Sequence, residues 1–266
     1  MIHKFLLGSL ILMMTSLASA QSPARILDAD SLILQGKRLI NNAVEKWDVD
    51  GMHKARAYFE RLLEGKHREA LVHYYLGYCY QQLNIFHRYN PASTKADREA
   101  AEKFVEAGIQ HLEKSVQRDN KFAEAYALLG SLYGEKIGGN PQLGMALGPK
   151  SGMMMENARQ LAPDNPRVAY LDAIGKNFTP AMFGGGKDKA VAGLYHAAEL
   201  FAKWQRNDPL APDWGHPECY AWLGNILAER GKPAEARTAL GKSLELRPDF
   251  GWVKYELLPK LEAASK

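Results

Sequence analysis

The sequence has little of what metalloproteins and most enzymes are built from. Cysteine occurs only twice in 266 residues, at Cys79 and Cys219. The chain contains no Gly-x-Ser-x-Gly or His-Glu-x-x-His motif, and no Cys/His pattern of a nucleophile with its base. Two isolated cysteines also fit no structural zinc pattern. We therefore predict a protein that is not an enzyme, with no metal site and no cofactor.

An excess of one charge is also missing. The chain has 34 Lys and Arg residues against 30 Asp and Glu residues, a formal net charge of +4. This surplus is too small to indicate the basic surface that binds nucleic acid. Hydrophobic residues make up 46% of the chain and charged residues 24%, as in ordinary soluble domains and unlike disordered chains. We expect a folded protein without a nucleic-acid partner.

The one marked apolar run lies in the first twenty residues. Lys4 precedes a nearly continuous apolar stretch at 5–17, and small residues follow at 18–20. This pattern is typical of a secretory signal peptide, and the apolar run is too short to span a membrane. We predict a signal peptide over 1–20, a mature chain over 21–266 without a membrane span, and an exported protein that is periplasmic (or secreted).

What the sequence does contain is an internal repeat. Its clearest copy, at 217–250, places apolar, small and turn residues at the offsets of two successive helices: Tyr220, Leu223, Gly224, Leu227, Ala236, Leu240 and Pro248. The first-helix offsets recur at Tyr126, Leu129, Gly130 and Tyr133, and again at Leu76, Gly77 and Tyr80. A unit of this size cannot bury its apolar face alone, so the units must stack on one another.

The stretch at 217–250 resembles a tetratricopeptide (TPR) repeat, and the other units are similar to it. The resemblance implies an all-α, right-handed α-solenoid of about five TPR-like helical hairpins with inserted loops and a C-terminal capping helix. The predicted repeats span about 36–69, 70–122, 123–167, 168–216 and 217–250, and the cap spans 251–263. The three middle repeats exceed 34 residues, so we expect longer helices or loops around 85–97, 138–152, 179–187 and 205–216.

The register of the repeats also bears on the two cysteines. In an oxidising compartment a disulfide between Cys79 and Cys219 could form. However, the register places them in first helices several repeats apart, which is too far for a disulfide bond. We expect two buried free thiols.

The first candidate site is the concave groove. First helices line the groove of such a solenoid, and in this register the residues that point into it include Tyr74, Tyr78, Gln81, Ser131, Lys176 and Asn225. Tyrosine has a rigid apolar body with a polar tip, which suits binding of a protein or peptide. The alternative is that Tyr74 and Tyr78 pack on the preceding repeat. We predict a protein or peptide partner in this groove, and leave open a homo-oligomer formed through a methionine-rich rim.

The second candidate site is a glycine-rich stretch formed by Phe183, Gly184, Gly185 and Gly186. Free amides before a helix can hold an anion. The alternative is a tight turn that needs positive φ, because no predicted strand precedes the stretch, as a phosphate-binding loop requires. Residues 180–185 also resemble part of the periplasmic TPR component of tripartite (TRAP-type) transporters. That resemblance implies a small-molecule carrier with its ligand pocket near these loops.

Overall fold

Helical hairpins make up almost the whole chain. The computed structural model describes residues 23–89 and 93–264, and the predicted signal peptide lies outside this range. The hairpins pair α1 (Pro23–Lys46) with α2 (Val49–Leu62), α3 (Glu69–Tyr89) with α4 (Lys95–Arg118), α5 (Ala123–Ile137) with α6 (Pro141–Leu161), α7 (Pro166–Phe178) with α8 (Lys187–Lys203), and α9 (His216–Glu229) with α10 (Pro233–Leu246). The cap comprises a π-helical turn, Val253–Leu257, and α11 (Leu258–Ala264).

The fold is all-α, as the repeat pattern predicts. No strand occurs in the described part of the chain. No helix within 23–89 and 93–264 is both long enough and apolar enough to cross a membrane. Each hairpin packs on its neighbours along the chain, so the five hairpins form an α-solenoid.

The glycines of the repeat allow the two helices of a hairpin to touch. A Cβ added at Gly77 would lie 2.5 Å from Cγ of Leu112, and one at Gly224 would lie 2.6 Å from Cδ2 of Leu240. Both distances are shorter than any van der Waals contact between carbon atoms. The close approach lets the leucines of the second helices fill the core, where Leu112 and Leu240 are buried.

Of the two outcomes expected at 138–152, a longer helix or a loop, the structure shows mainly a longer helix. Only Gly138 and Gly139, with φ of 52° and 82°, form a turn there. Asn140 then caps α6 by accepting hydrogen bonds from the amides of Gln142 (3.0 Å) and Leu143 (3.3 Å). This cap and Pro141 in the first turn start a helix in spite of the glycines that follow.

The two ends of the solenoid meet through tryptophan side chains. Trp252 of the cap lies 6.4 Å from Trp47, at the end of the first hairpin's α1, measured between ring centroids. It lies 5.2 Å from Trp222 of α9. Trp47 in turn packs on Phe86 of α3 at 4.7 Å. These contacts join the first and second hairpins to the last hairpin and the cap, so the superhelix closes on itself.

The two cysteines are buried free thiols, as the register predicts. Burial raises the pKa of both Cys79 and Cys219 well above its ordinary value. A thiol that is buried and protonated at neutral pH is unreactive. The cysteines therefore act as small core side chains.

Candidate functional site

The concave groove is occupied by the chain itself. The non-helical segment between α8 and α9, residues 204–215, which we call the groove segment, contacts the inner helices α1 and α3. Lys37 of α1 donates hydrogen bonds from Nζ to the carbonyls of Pro209 and Ala211, each at 2.6 Å. Its Nζ also lies 3.4 Å from the carboxylate of Asp213. The hydroxyl of Tyr75, on α3, donates to the carbonyl of Leu210 at 2.6 Å.

Trp214 anchors the groove segment in an aromatic cluster. Its ring stacks on Tyr78 with centroids 4.5 Å apart and an interplanar angle of 13°. Its Nε1 donates to the hydroxyl of Tyr74 at 3.0 Å. Arg167 donates to its carbonyl at 3.4 Å, and Tyr170 packs against the ring edge-on at 6.2 Å. Trp214 is only 4% exposed, so this anchor belongs to the core.

Three of the residues predicted to bind a partner in the groove are buried instead, so the prediction is wrong at these positions. Tyr74 and Tyr78 are 0% and 1% exposed, because Trp214 and its neighbours cover them. Gln81 is also buried, and its amide donates to Glu135 at 2.8 Å. None of these three side chains is available to a partner in this conformation. The structure agrees with the alternative interpretation of Tyr74 and Tyr78, in which they are core residues.

Lys176 and Asn225, also predicted to line the groove, each bind a side chain of their own helix. Lys176 forms an ion pair with Asp172 at 2.6 Å, and Asp172 also binds Arg159 of α6. Lys176 therefore faces the neighbouring helix α6. Asn225 is half-buried and donates to Glu229 at 3.2 Å, one turn further along α9.

A half-buried glutamate, Glu135, lies beside the sixth predicted residue, Ser131. Glu135 accepts hydrogen bonds from Gln81 (2.8 Å), Asn84 (2.5 Å) and Ser131 (3.5 Å). Burial raises the pKa of Glu135 to about 7, although these donors and the charge of Arg88 act in the opposite direction. Within the described residues, no Lys or Arg nitrogen lies within 4 Å of its carboxylate. Nothing in the repeat spacing indicates this network.

Exposed aromatic side chains surround the carboxyl ends of the inner helices. Trp222 of α9 contacts Tyr89, the last residue of α3, at 6.4 Å and Phe178, the last residue of α7, at 5.9 Å. We call these three residues the aromatic rim. Phe178 is 62% exposed and Tyr89 is 39% exposed. Burial raises the pKa of Tyr89, and the charge of Glu135 acts in the same direction.

The glycine-rich stretch cannot cradle an anion, because its amides are already hydrogen-bonded. The amides of Phe183, Gly184 and Gly185 donate to carbonyls at 180–181, and the amide of Gly186 donates to that of Lys176 at 2.8 Å. All four amides are therefore already used. Gly184 and Gly186 have φ of 87° and 116°, so the tight-turn interpretation holds. The turn instead exposes Met182 (83%) and Phe183 (73%) just after the aromatic rim.

Gly185→Ala tests how rigidly this turn is built. A Cβ at residue 185 would lie 1.9 Å from the carbonyl oxygen of Thr179, which is backbone and cannot rotate away. We expect the substitution to lower the free energy of unfolding by about 1–3 kcal/mol in urea titrations. The matched control is Gly241→Ala, where the added Cβ meets no atom within 4 Å. The control should be neutral or stabilise by up to about 1 kcal/mol. Equal effects of the two substitutions would contradict the described turn.

A cleft of about 570 Å³ opens at the opposite ends of the inner helices, beside the groove segment. Its lining is mostly charged and includes Lys66, Arg68, Glu69, Arg118, Glu124 and Asp208. None of the residues that line it belongs to 179–187. This cleft is therefore not the apolar pocket beside the glycine-rich turn that a small-molecule carrier implies.

Comparison with solved structures gives the class of protein. TTC0263, a thermophilic TPR protein from Thermus thermophilus, has a TM-score of 0.61 and 17% identity over 89% of this chain and 98% of its own. The HusA haemophore from Porphyromonas gingivalis has a TM-score of 0.59 and 21% identity over 79% of this chain and 96% of its own. No protein-family model matches the chain, and no curated protein sequence matches it. The chain has a TPR-like fold, and at these identities the similarity establishes the fold alone.

Proposed function

We propose that the protein is an exported, non-catalytic scaffold that binds a protein or peptide partner at the aromatic rim and at Met182 and Phe183, which follow Phe178 in the sequence. The observation that carries the proposal is the contrast between the two surfaces. The concave groove is filled by residues 204–215, whereas the rim exposes large apolar side chains. Contiguous exposed apolar side chains are typical of interaction sites in soluble proteins. The leader-like sequence at 1–20 supports export.

The rim has the composition of a binding hot spot. Trp222 is half-buried at its centre, and Tyr89 and Phe178 flank it from helices on either side of the superhelix. Aromatic side chains of this kind supply much of the binding energy of protein interfaces, because they bury a large area with few rotatable bonds. A partner's apolar side chain placed against Trp222 would be enclosed on two sides.

A random peptide library displayed on phage tests the proposal. We expect the wild-type protein, from residue 21, to enrich peptides whose affinity falls about tenfold or more in Phe178→Ala, the loss typical of a hot-spot residue. The matched control is Tyr195→Ala, which removes an aromatic side chain that is 46% exposed on α8. This control should bind the same peptides as the wild type. If every enriched peptide binds Phe178→Ala as tightly as the wild type, the rim is not the site.

A small apolar ligand is the second candidate, and the closed shape of the superhelix favours it. The rim brings Tyr89, Phe178 and Trp222 together edge to face on a closed solenoid, where an apolar molecule could bind. One of the similar solved proteins is called a haemophore, so haemin is a reasonable probe. A haemin titration followed by its absorbance should then show binding that is weaker in Phe178→Ala and unchanged in Tyr195→Ala. Haemin binding that neither substitution changes would count against this candidate.

A further inference from the structure

Two histidines from neighbouring antiparallel helices meet outside the groove and the aromatic rim. His73 lies on α3 and His111 on α4, and their Nδ1 atoms are 2.9 Å apart. Tyr80 stacks on the ring of His111 with centroids 5.5 Å apart, which holds that ring in place. His73 is 7% exposed. The repeat pattern does not account for this pair of histidines.

The spacing of these nitrogens suits a chelated metal ion. Nitrogens that bind one metal at about 2.0–2.1 Å are about 3.3 Å apart at the tetrahedral angle, and about 2.9 Å apart at an angle near 90°. The observed 2.9 Å therefore corresponds to two adjacent positions of a square-planar or octahedral ion. Copper(II) and nickel(II) prefer such tetragonal geometry with imidazole ligands, and copper(II) binds more tightly.

A carboxylate on the same helix as His73 offers a further oxygen ligand. Glu69 lies one turn before His73 on α3, the spacing at which two side chains share a face. Its carboxylate pairs with Arg118 at 2.9 Å, and Lys114 is the other nearby cation. No group of three or more potential ligands is preassembled in the described part of the chain.

We propose that His73 and His111 form a binding site for a single copper(II) or nickel(II) ion, with the remaining positions filled by water and by Glu69 once it leaves Arg118. Without metal, one Nδ1–H donates to the other Nδ1, which accounts for the 2.9 Å contact. When both Nδ1 atoms bind the ion, this proton moves through solvent to Nε2 of the same ring, so both rings stay neutral and no net proton is released. The ion joins α3 to α4 within one hairpin, so the site stabilises the hairpin without touching the aromatic rim. It is independent of the proposed partner site.

Copper(II) chloride added to the untagged protein from residue 21 tests the site. We expect one ion per chain, a tetragonal electron paramagnetic resonance spectrum with splitting from two nitrogens, and a rise in the melting temperature. His73→Gln and His111→Gln should each lower the affinity by at least about tenfold and abolish the rise. The matched control is His196→Gln, an exposed histidine on α8, which should bind copper like the wild type.

Two results would overturn the site. The first is copper binding that persists with unchanged affinity in both His73→Gln and His111→Gln, which would assign it to surface histidines. The second is a wild-type protein that shows no saturable binding and no change in melting temperature. Circular dichroism shows whether each variant is folded. If one variant folds poorly, the copper affinity of the other variant alone tests the site. A nitrogen splitting pattern unchanged in the folded variant also contradicts the site.

Discussion

Trp214→Ala is expected to lower the free energy of unfolding by about 3–5 kcal/mol, the range found for large aromatic side chains removed from a core. The substitution removes the ring that stacks on Tyr78 at 4.5 Å and leaves the hydroxyl of Tyr74 without its indole donor. It also frees the groove segment, whose carbonyls would then no longer be held against Lys37. Chemical denaturation followed by circular dichroism measures the change.

Trp204→Ala is the matched control for this prediction. Trp204 starts the groove segment, but it is 41% exposed and contacts Arg167 mainly through a cation–π interaction at 5.5 Å. Its removal should cost about 1 kcal/mol or less. A loss at Trp214 no larger than that at Trp204 would mean that residues 204–215 do not fill the groove.

Glu135→Gln is expected to stabilise the protein at pH 8 by about 3 kcal/mol. The folded-state pKa of Glu135, about 7, lies above its ordinary value of 4.5, so the folded protein binds the proton more tightly than the unfolded chain. The group therefore has no destabilising effect below about pH 4.5 and its full effect above about pH 7. The size follows from about 1.4 kcal/mol per pKa unit. The amide of Asn84 can rotate to suit the new amide side chain at position 135, because its Oδ1 has no partner.

The measurement is the free energy of unfolding of wild type and variant at several pH values between 4 and 8. The difference should grow as the pH rises from 4.5 to 7 and stay constant above that. Glu199→Gln, at an exposed position on α8, should show no such dependence. A difference that is constant across this range would contradict the burial of the Glu135 carboxylate.

The sequence predicts the hairpins because their packing depends on local spacing. Leucines at intervals of four face glycines such as Gly77 and Gly224, and these contacts lie within one repeat. Helix starts are equally local, as the Asn140 cap shows, yet the five glycines at 138–152 conceal this one. The number of glycines indicates only a low average helix propensity. A capping residue followed by proline determines where a helix starts.

The site could not be predicted in the same way because it depends on contacts between distant parts of the chain. The repeat pattern identifies residues 205–216 as extra to the repeat, but Lys37 and Pro209, which bind each other, are 172 positions apart. Nothing in the spacing of one sequence shows that Trp214 covers Tyr74 and Tyr78. The aromatic rim arises from the same closure, which brings Tyr89 of the second hairpin to Trp222 of the last.

Hydrogen–deuterium exchange of the peptide that contains residues 208–215 tests the occupied groove most directly. This segment has no regular helix, so its amides would exchange within seconds if it were a surface loop. In the structure, the amides of Leu210 and Ala211 donate to Asp208, and that of Gly215 donates to Glu218 at 2.9 Å under the buried Trp214. We predict exchange at these amides as slow as in the helices that pack against them, and fast exchange in Trp214→Ala. Fast exchange in the wild type would show that the groove is open. Tyr74 and Tyr78 would then be accessible to a partner, as the sequence predicts.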